Sequence, residues 1–414
     1  MQQNNLLVVI GGGAAGFFCA VNAARLNPQL QVVLLEKSAK LLSKVKVSGG
    51  GRCNVTHACF SITDMLKKYP RGASFLKKAF QHFFTTDTIE WFQQRGVPLK
   101  TEADGRMFPA SNTSQTIIDC LLSEASKYKV DVRMQCDVKD IEIDHTSTDE
   151  GFTITMADYK TLRAEFLCIA SGGYPKLSQF DWLTKIGHRV QSPVPSLFTF
   201  NIPQNPITKL MGISVENASV KIAGSKLQQA GPMLITHWGL SGPAILKLSA
   251  WAARELEEKK YEFVIHVNWL PGFNEQSLKE KIQQVRFDIA SQKIINRNPF
   301  GIPSRLWEYF MQQCEIHADC RWADLPAKEQ NKLVKILCAQ ELQVKGKTTF
   351  KEEFVTAGGI QLSEVDANSM QSKLHPHLYF AGEVLDVDGV TGGFNFQNAW
   401  TTGWIAARAI ADQQ

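Results

Sequence analysis

The hydrophobic pattern at the start of the chain predicts a strand, a helix and a second strand. Residues 6–10 form an uninterrupted aliphatic run, which is typical of a strand buried on both faces of a parallel sheet. A helix is expected to follow as far as about residue 27, where Asn and Pro end it. A second, mostly apolar strand covers 31–35. Two strands joined in this way form a β-α-β unit, in which the strands are parallel.

The turn between the first strand and the helix is rich in glycine. Residues 11–16 read GGGAAG and contain the pattern GxGxxG between a strand and a helix. Gly11 permits the turn, Gly13 lets the backbone approach a pyrophosphate, and Gly16 lets the helix pack closely on the strand. The free N–H groups at the start of the helix favour an anion. The predicted contributors are Gly11, Gly13, Ala14, Ala15 and Gly16.

An acidic residue ends the second strand. Glu36 lies 20 residues after Gly16, where a carboxylate can accept hydrogen bonds from both hydroxyls of a ribose. The same carboxylate disfavours a ribose that carries a 2′-phosphate. Strand, glycine turn, helix and acid together predict a dinucleotide site. The alternative is a glycine turn in another type of α/β domain.

A second glycine-rich segment follows at residues 48–54, with the sequence SGGGRCN. Three consecutive glycines are unfavourable inside a helix or strand, but bare backbone can lie against a ring and Arg52 can meet a phosphate. We predict a ligand-binding loop, with a solvent-exposed loop as the alternative. Cys53 lacks a resolving partner, so a packed cysteine is expected rather than a redox thiol. The predicted contributors are Ser48, Gly49, Gly50, Gly51, Arg52, Cys53 and Asn54.

A third apolar run returns the chain to the parallel sheet. Residues 166–170 are continuously apolar, and Ser171 and Gly172 follow directly. Because ligands bind beyond the carboxyl ends of parallel strands, this strand end is expected at the edge where the cofactor binds. The predicted contributors are Ala170, Ser171 and Gly172.

The C-terminal region supplies a second glycine turn before a helix. A strand ends on Gly382, Glu383 follows, and Gly392 and Gly393 open a helix that runs past residue 408. The positive end of that helix can stabilise negative charge near N1 and C2=O of a reduced flavin. The chain thus has a phosphate site near residue 11, a ring site near residue 393 that includes Gly389, and no second GxGxxG. These features favour FAD over NAD as the fixed cofactor.

The composition changes between the two halves of this site. Proline and short β-like pieces begin near residue 193, and an amphipathic helical pattern begins near 273. We predict a first part of the FAD-binding domain at 1–192, an inserted domain at 193–346, and a second part of the FAD-binding domain at 347–414. The insert is expected to be β-barrel-like at 193–272 and helical at 273–346.

The overall composition is that of an ordinary globular protein. The chain has 414 residues, of which 44% are hydrophobic and 21% charged, and its net charge is +5. No run of five or six like charges occurs, so neither nucleic acid nor a membrane is expected as a partner. Nine cysteines without a CxxC pair favour reduced thiols. The polar N-terminus leaves no room for a signal peptide, and a cytoplasmic protein is expected.

Two other kinds of chemistry are disfavoured. Cys314, His317 and Cys320 offer only three ligands without a partner pair, so a packed helix end is expected and no metal site is predicted. Ser171 and Ser241 adjoin glycines, but neither lies in the G-x-S-x-G turn of a hydrolase.

With these motifs the sequence resembles the HI0933-like flavoprotein family, also described as the YhiN or aminoacetone-oxidase and BaiN-like group. The matching stretches are spread over nearly the whole length of the chain: Val8–Gly16, Ser48–Thr56, Phe108–Ser111, Thr236–Pro243, Thr356–Ile360 and Tyr379–Ala399. The resemblance implies an α/β fold with a glutathione-reductase-type FAD-binding Rossmann domain, interrupted by an inserted β-barrel-like and small helical domain.

The resemblance also implies individual flavin contacts. Val138 corresponds to the position that meets adenine through its backbone. One departure is at Leu42 and Ser43, where the family usually has Gly and Arg before the lysine that is Lys44 here. A phosphate contact from that Arg is therefore lost or supplied elsewhere. The further implied contacts are Lys37, Lys44, Gly382, Glu383, Asp386, Gly393, Phe394, Asn395 and Ala399.

The function implied is that of a FAD-dependent oxidoreductase that moves a hydride between flavin N5 and a small organic substrate, of the amine or the enone class. NAD(P)H, if it is the reductant, has to bind transiently. The alternatives are a flavin-bearing protein that modifies or binds RNA, and a flavin-stabilised interaction protein without turnover. His237 is the candidate catalytic residue, because an imidazole can move a proton near neutral pH. A hydrogen-bonded packing residue beside Trp238 is the alternative.

Overall fold

The computed structural model describes residues 5–146, 149–349 and 355–413. The chain divides into two compact units. The split unit combines Met1–Ser196 with Lys351–Gln414, and the insert is Leu197–Phe350. The boundaries predicted from the sequence, 193 and 346, differ from this division by four residues each. Residues 350–354, at the predicted return to the FAD-binding domain, lie outside the described residues.

The helices of the described residues are, in chain order, α1 (Ala14–Leu26), α2 (Ser43–Gly51), α3 (Ile62–Leu66), α4 (Ala73–Ala79), α5 (Thr85–Gln93), α6 (Ser114–Lys127), α7 (Asp181–Lys185), α8 (Pro243–Trp251), α9 (Ala253–Glu258), α10 (Glu275–Asp288), α11 (Ser304–Gln313), α12 (Ala327–Ala339) and α13 (Phe394–Ala411).

The strands are β1 (Leu6–Ile10), β2 (Gln31–Glu36), β3 (Thr56–His57), β4 (Leu99–Thr101), β5 (Arg106–Pro109), β6 (Asp131–Met134), β7 (Val138–Thr146), β8 (Asp149–Met156), β9 (Thr161–Ala164), β10 (Phe166–Ile169), β11 (Val190–Ser196), β12 (Thr199–Asn201), β13 (Ser214–Ile222), β14 (Gln228–Ile235), β15 (Gly239–Ser241), β16 (Glu262–Asn268), β17 (Gln340–Lys345), β18 (Lys347–Thr348), β19 (Val355–Ile360) and β20 (Leu378–Phe380).

The centre of the split unit is a five-stranded parallel sheet in the order β20-β10-β1-β2-β6. Leu7, Val8 and Val9 of the central strand are fully buried, as expected for a parallel strand covered on both faces. Three small antiparallel sheets accompany it: β3-β5-β4, β7-β8-β9 and β11-β19. The α/β class predicted from the aliphatic runs is confirmed.

Helices α1 and α13 pack closely on each other in the split unit. Gly403 lies at the contact, and a Cβ added there would be 2.7 Å from the carbonyl oxygen of Ala15. Around the contact, the indole N–H of Trp91 donates to Asn22 at 3.0 Å, and that of Trp400 donates to the carbonyl of Val55 at 2.9 Å. The last helix of the chain is thereby fixed against the first, at the end where α1 begins.

The insert contains a seven-stranded antiparallel sheet in the order β17-β16-β13-β14-β15-β12-β18. The sequence predicted a β part followed by a helical part, and the insert differs from this prediction in two ways. Helices α8 and α9 lie within the stretch expected to be β, and β17 lies within the stretch expected to be helical. The physical reason is a common hydrophobic core, in which Val220 of the sheet, Leu248 of α8 and Trp307 of α11 are all buried.

Among the described residues, none of the helices is both long and apolar enough to cross a membrane.

We expect Gly403→Ala to lower the stability of the apoprotein by about 1–2 kcal/mol. Alanine gains about 0.5–1 kcal/mol over glycine inside a helix, but overpacking a tight contact costs about 1–3 kcal/mol, and backbone atoms of α1 cannot move aside easily. Urea unfolding measures the difference. Gly272→Ala is the control, because that glycine is exposed and an added Cβ meets nothing within 4 Å. An unchanged or higher midpoint for Gly403→Ala contradicts the described contact.

Candidate cofactor-binding site

The turn at residues 11–16, here called the fingerprint turn, has two glycines enclosed by protein and one open glycine. A Cβ on Gly11 would be 2.3 Å from the carbonyl oxygen of Ala170, and one on Gly16 would be 1.9 Å from the carbonyl oxygen of Gly11. A Cβ on Gly13 meets nothing within 4 Å. Gly11 and Gly16 are therefore needed for packing within the protein, whereas the space beside Gly13 is available to a ligand.

The start of α1 can bind an anion through its backbone. Gly13 is the N-cap, no side chain caps the helix, and its first turn contains no acidic residue. The first helical hydrogen bond runs from Phe17 N to Gly13 O at 3.0 Å. The preceding N–H groups of Ala14, Ala15 and Gly16 have no partner within the helix. This arrangement fits the pyrophosphate of a dinucleotide.

Glu36 is held at the end of β2 by two backbone groups. Its carboxylate accepts from Gly12 N at 2.9 Å and from Ser38 N at 2.8 Å. A carboxylate has about four lone-pair positions, so two remain for ribose hydroxyls. The segment that leads to Val138 reaches the same strand end, because Cys136 N donates to Glu36 O at 2.9 Å. Lys37 lies near this edge too, with Nζ 5.4 Å from the ring centre of Tyr174.

The glycine loop, residues 48–54, follows a short helical piece that the sequence did not predict. Helix α2 includes Ser48, Gly49 and Gly50 in non-helical conformations, so the regular helix is confined to the residues before them. The N-cap of α2 is Leu42, which is buried and has φ +53°. This backbone region favours glycine, the residue that the family usually has there. Ser43, in place of the family's arginine, is exposed.

Arg52 and Cys53 have structural contacts in this loop. The guanidinium of Arg52 lies 4.0 Å from the ring centre of Phe108 and donates to Glu102 at 2.6 Å. Its charge is thus balanced within the protein. Burial raises the pKa of the Cys53 thiol to about 12, with a weaker opposing effect from Ser48. A fully buried thiol with that pKa is a packed cysteine, not a redox-active thiolate.

The end of β20 meets the fingerprint turn. A Cβ on Gly382 would be 2.7 Å from the Cβ of Ala15, so the two elements are in direct contact. Glu383 accepts from Thr356 N at 2.9 Å and forms an ion pair with Lys44 at 2.5 Å. Lys44 thereby connects the start of α2 with this strand end. On the neighbouring strand, Ala170 N donates to Ile10 O at 2.8 Å, and Ser171 and Gly172 follow.

The ring loop, residues 386–393, leads from this edge into α13. It begins where Asp386 N donates to Ile360 O at 3.1 Å. Further along, Gly389 N donates to the side chain of Asn395 at 2.8 Å, and the amide of Asn395 donates back to Gly389 O at 2.9 Å. Gly393 is the N-cap of α13, which starts at Phe394, and Ala399 is buried further along the helix.

The ring loop and the glycine loop are in contact. Asn54, with its amide oriented to suit its neighbours, accepts from Gly393 N at 2.9 Å. A Cβ on Gly393 would be 2.5 Å from the carbonyl oxygen of Thr56, so only glycine allows this approach. The residues predicted from the N-terminal and C-terminal halves of the sequence therefore lie around one site in the split unit.

Several residues at this site were missed by the sequence-based prediction. His57 Nδ1 donates to Gly392 O at 3.0 Å, and its ring stacks on Phe394 with 4.7 Å between centres. Tyr69 donates its hydroxyl to Phe394 O at 2.7 Å. Arg71 pairs with the buried Asp388 through two hydrogen bonds. Asp388 lies two residues after Asp386, and an acid at that spacing could have drawn attention; Tyr69 and Arg71 lie outside any glycine-rich motif.

His237 lies in the insert, at the tip of the hairpin between β14 and β15. Its ring is exposed and contacts Trp238 edge to face, with 4.3 Å between ring centres. No hydrogen bond of its ring nitrogens to another described residue is seen. Its role in catalysis stays a prediction.

No group of three or more His, Cys, Asp or Glu that could hold a metal ion occurs in the part of the chain that the structure describes. Cys314 is buried, and burial raises the pKa of its thiol to about 12. The His317 side chain is 80% exposed.

Comparison with known proteins places the chain among flavoproteins. The sequence profile of the family described as HI0933-like protein Rossmann domain matches residues 5–409. The ribosomal RNA dihydrouridine synthase of Escherichia coli (strain K12) is 30% identical over 407 residues, which are 96% of each chain. The 3-dehydro-bile acid delta(4,6)-reductase of Clostridium scindens is 27% identical over 409 residues, which are 97% of each chain.

Among solved structures, the 3-ketosteroid-delta4-(5alpha)-dehydrogenase from Rhodococcus jostii RHA1 has the same fold. Its TM-score is 0.52 at 13% identity, and the match covers 98% of this chain and 96% of that one. The chain therefore belongs to the HI0933-like family of FAD-binding flavoproteins, as the resemblance of its motifs predicted.

Proposed function

We propose that this FAD-binding oxidoreductase reduces a carbon–carbon double bond that is conjugated with a carbonyl group. Of the two expected substrate classes, amines and enones, the names of two relatives favour the enone. A dihydrouridine synthase and a delta(4,6)-reductase of a 3-dehydro-bile acid both act on a double bond next to a carbonyl. The observation that carries the flavin part of the proposal is the two-ended site, with open backbone at Gly13 and the start of α13 at Gly393.

The chain's own residues would hold the two ends of FAD differently. The start of α1 binds the pyrophosphate, and Glu36 accepts from the ribose hydroxyls. The positive end of α13 favours negative charge on the reduced ring. When bound and reduced, FAD supplies a hydride from N5. NAD(P)H is the proposed source of the two electrons, and it binds transiently because the chain has no second GxGxxG.

Reduction of an enone also needs a proton on the carbon next to the carbonyl. We assign this proton to His237, because its imidazole is exposed and its ring nitrogens are not used within the described part of the chain. An imidazole is able to give up a proton near neutral pH. The remaining predicted contacts, including Val138, Lys37 and Asp386, would also bind FAD. The proposed location of the protein is the cytoplasm.

A uracil within RNA is a second candidate substrate. The insert contains 19 Lys and Arg against 14 Asp and Glu, so it accounts for the whole net charge of +5. A basic unit attracts RNA phosphates by releasing counterions, and the relative from E. coli is named for a ribosomal RNA. Binding of RNA would contradict the expectation, drawn from composition, that the protein does not bind nucleic acid. Uracil and a small enone share the reacting group, and therefore both fit the proposed chemistry.

We expect Gly13→Val to abolish FAD binding while the apoprotein keeps its fold. The added side chain enters space that is open in the protein but is needed by the pyrophosphate. Acid extraction identifies the released chromophore, and equilibrium dialysis measures FAD binding. Gly272→Val is the matched control, since Gly272 is open and exposed in the insert. Gly16→Ala should instead destabilise the apoprotein, because its Cβ overlaps Gly11 O. Full FAD binding by Gly13→Val contradicts the assigned position of the cofactor.

We expect the reduced holoenzyme to be reoxidised by enones or by uracil-containing RNA, and not by the oxidation product of an amine. Anaerobic mixing that follows flavin absorbance distinguishes these substrates. If RNA is the substrate, the rate falls steeply between 50 and 200 mM salt, since phosphate contacts are salt-dependent. A small enone should show little dependence on salt. The proposed reaction is wrong if amines reduce the flavin of the oxidised enzyme and if neither enones nor RNA reoxidise the flavin of the reduced enzyme.

We expect His237→Gln to slow reoxidation by the substrate about 100-fold or more and to leave FAD binding unchanged. Gln is similar in size and can form hydrogen bonds, but it cannot act as an acid catalyst. A rate equal to that of the wild type would show that the proton comes from elsewhere.

A further inference from the structure

Asp388 is a fully buried carboxylate in the middle of the ring loop. Arg71 binds it with two guanidinium nitrogens, and the Ser196 hydroxyl donates to it at 2.9 Å. Burial raises the pKa of the Asp388 carboxyl, and the hydrogen bonds from Arg71 and Ser196 oppose this rise. A charge in such a place is costly unless it is fully paired, and here both oxygens have partners.

The chain around Arg71 follows the ring loop from Val387 to Val390. Residues 68–72, here called the brace, form a backbone bridge from Arg71 to Asp388. At one end of the brace, Lys68 O accepts from Val390 N at 2.9 Å. At the other end, a Cβ on Gly72 would be 2.6 Å from the side chain of Val387. The brace thus contacts the ring loop at Val387, Asp388 and Val390.

The brace also reaches the start of α13. Tyr69 is buried and donates its hydroxyl to Phe394 O at 2.7 Å. The carbonyl of Phe394 is in the first turn of the helix, directly after the N-cap Gly393. The position of the helix start is therefore tied to the same five residues that hold Asp388.

A buried ion pair is a poor source of stability compared with apolar residues of the same volume. Its two parallel hydrogen bonds are directional, however, and they fix the position and orientation of both partners. Val387 and Val390 of the ring loop are buried and anchor it by packing. Residues 388 and 389 between them are Asp and Gly, so the ion pair fixes the stretch of the loop that has no apolar side chain.

We propose that Arg71 and Asp388 are positioning residues for the flavin ring. They hold the ring loop so that Gly393 and the start of α13 meet the ring, and they do so as a pair without net charge. The inference rests on the proposed function, which places the isoalloxazine at this loop. It adds two residues and a segment to the cofactor site that no motif in the sequence indicated.

The test compares Asp388→Asn with Glu124→Gln in the full-length holoenzyme. Glu124 is another buried carboxylate of the split unit that pairs with an arginine, Arg95 at 2.6 Å, and it lies outside the proposed site. Both variants lose a buried charge, so both should reduce the stability of the apoprotein. Only Asp388→Asn should raise the Kd for FAD, by about tenfold or more. Breaking a buried ion pair costs more free energy than a tenfold change in Kd represents.

The reduction potential supplies a readout that a loss of stability alone does not change. Asp388→Asn removes a negative charge from the ring loop, which favours the anionic reduced flavin and raises the potential. Glu124→Gln should have the potential of the wild type. Ser196→Ala removes one hydrogen bond and keeps the ion pair, so it should raise the Kd by a smaller factor and keep the potential.

The results separate the two proposals. A wild-type protein that does not bind FAD overturns the proposed function. A wild type that binds FAD, with Asp388→Asn equal to Glu124→Gln in both Kd and potential, overturns the role of the brace alone. If Asp388→Asn does not fold, Ser196→Ala decides: a Kd equal to that of the wild type contradicts the inference.

Discussion

The carbonyl oxygen of Gly11 occupies the space that a Cβ at position 16 would need, and the split unit depends on that close approach. It sets the first turn of α1 directly against the end of β1. Two further elements meet the same turn through glycines. Gly403 of α13 approaches the carbonyl of Ala15, and Gly382 at the end of β20 approaches the Cβ of that residue. Gly13 is the position in this turn that packing leaves open.

The side-chain charges around the site are largely balanced within the protein. Arg52 is paired with Glu102, Arg71 with Asp388, and Lys44 with Glu383. Glu36 accepts from two backbone groups. The backbone adds positive potential at the starts of α1 and α13. Backbone donors are fixed in place, so they can bind phosphate and stabilise a reduced ring without reorganising.

The local part of the fold was predictable from sequence because it rests on short-range rules. The aliphatic run at 6–10 gave a buried parallel strand, and the spacing from Gly11 to Glu36 gave the β-α-β unit. In the insert, α8 is a short apolar segment, PAILKLSAW. Periodicity alone cannot distinguish a buried helix from a strand in so short a run.

The brace could not be predicted, because Arg71 and Asp388 are 317 residues apart and neither belongs to a periodic pattern. Leu42 is a different case. The sequence showed that it stands where the family usually has glycine, but only the backbone angle of +53° shows that this leucine adopts a left-handed conformation, at some cost in strain. Which polar groups pair over long distances, and which residues accept strained angles, are properties of the whole packed unit.

The division of the split unit into two stretches sets an order for its formation during biosynthesis. A nascent chain that has emerged as far as residue 349 already contains Gly13 and Glu36, but it lacks β20, the ring loop and α13. Until those residues leave the ribosome, the face of α1 that α13 covers has no partner from this chain and the parallel sheet ends at β10. The site described here is therefore completed late, and the exposed apolar face of α1 is the surface that a chaperone would have to protect in the meantime.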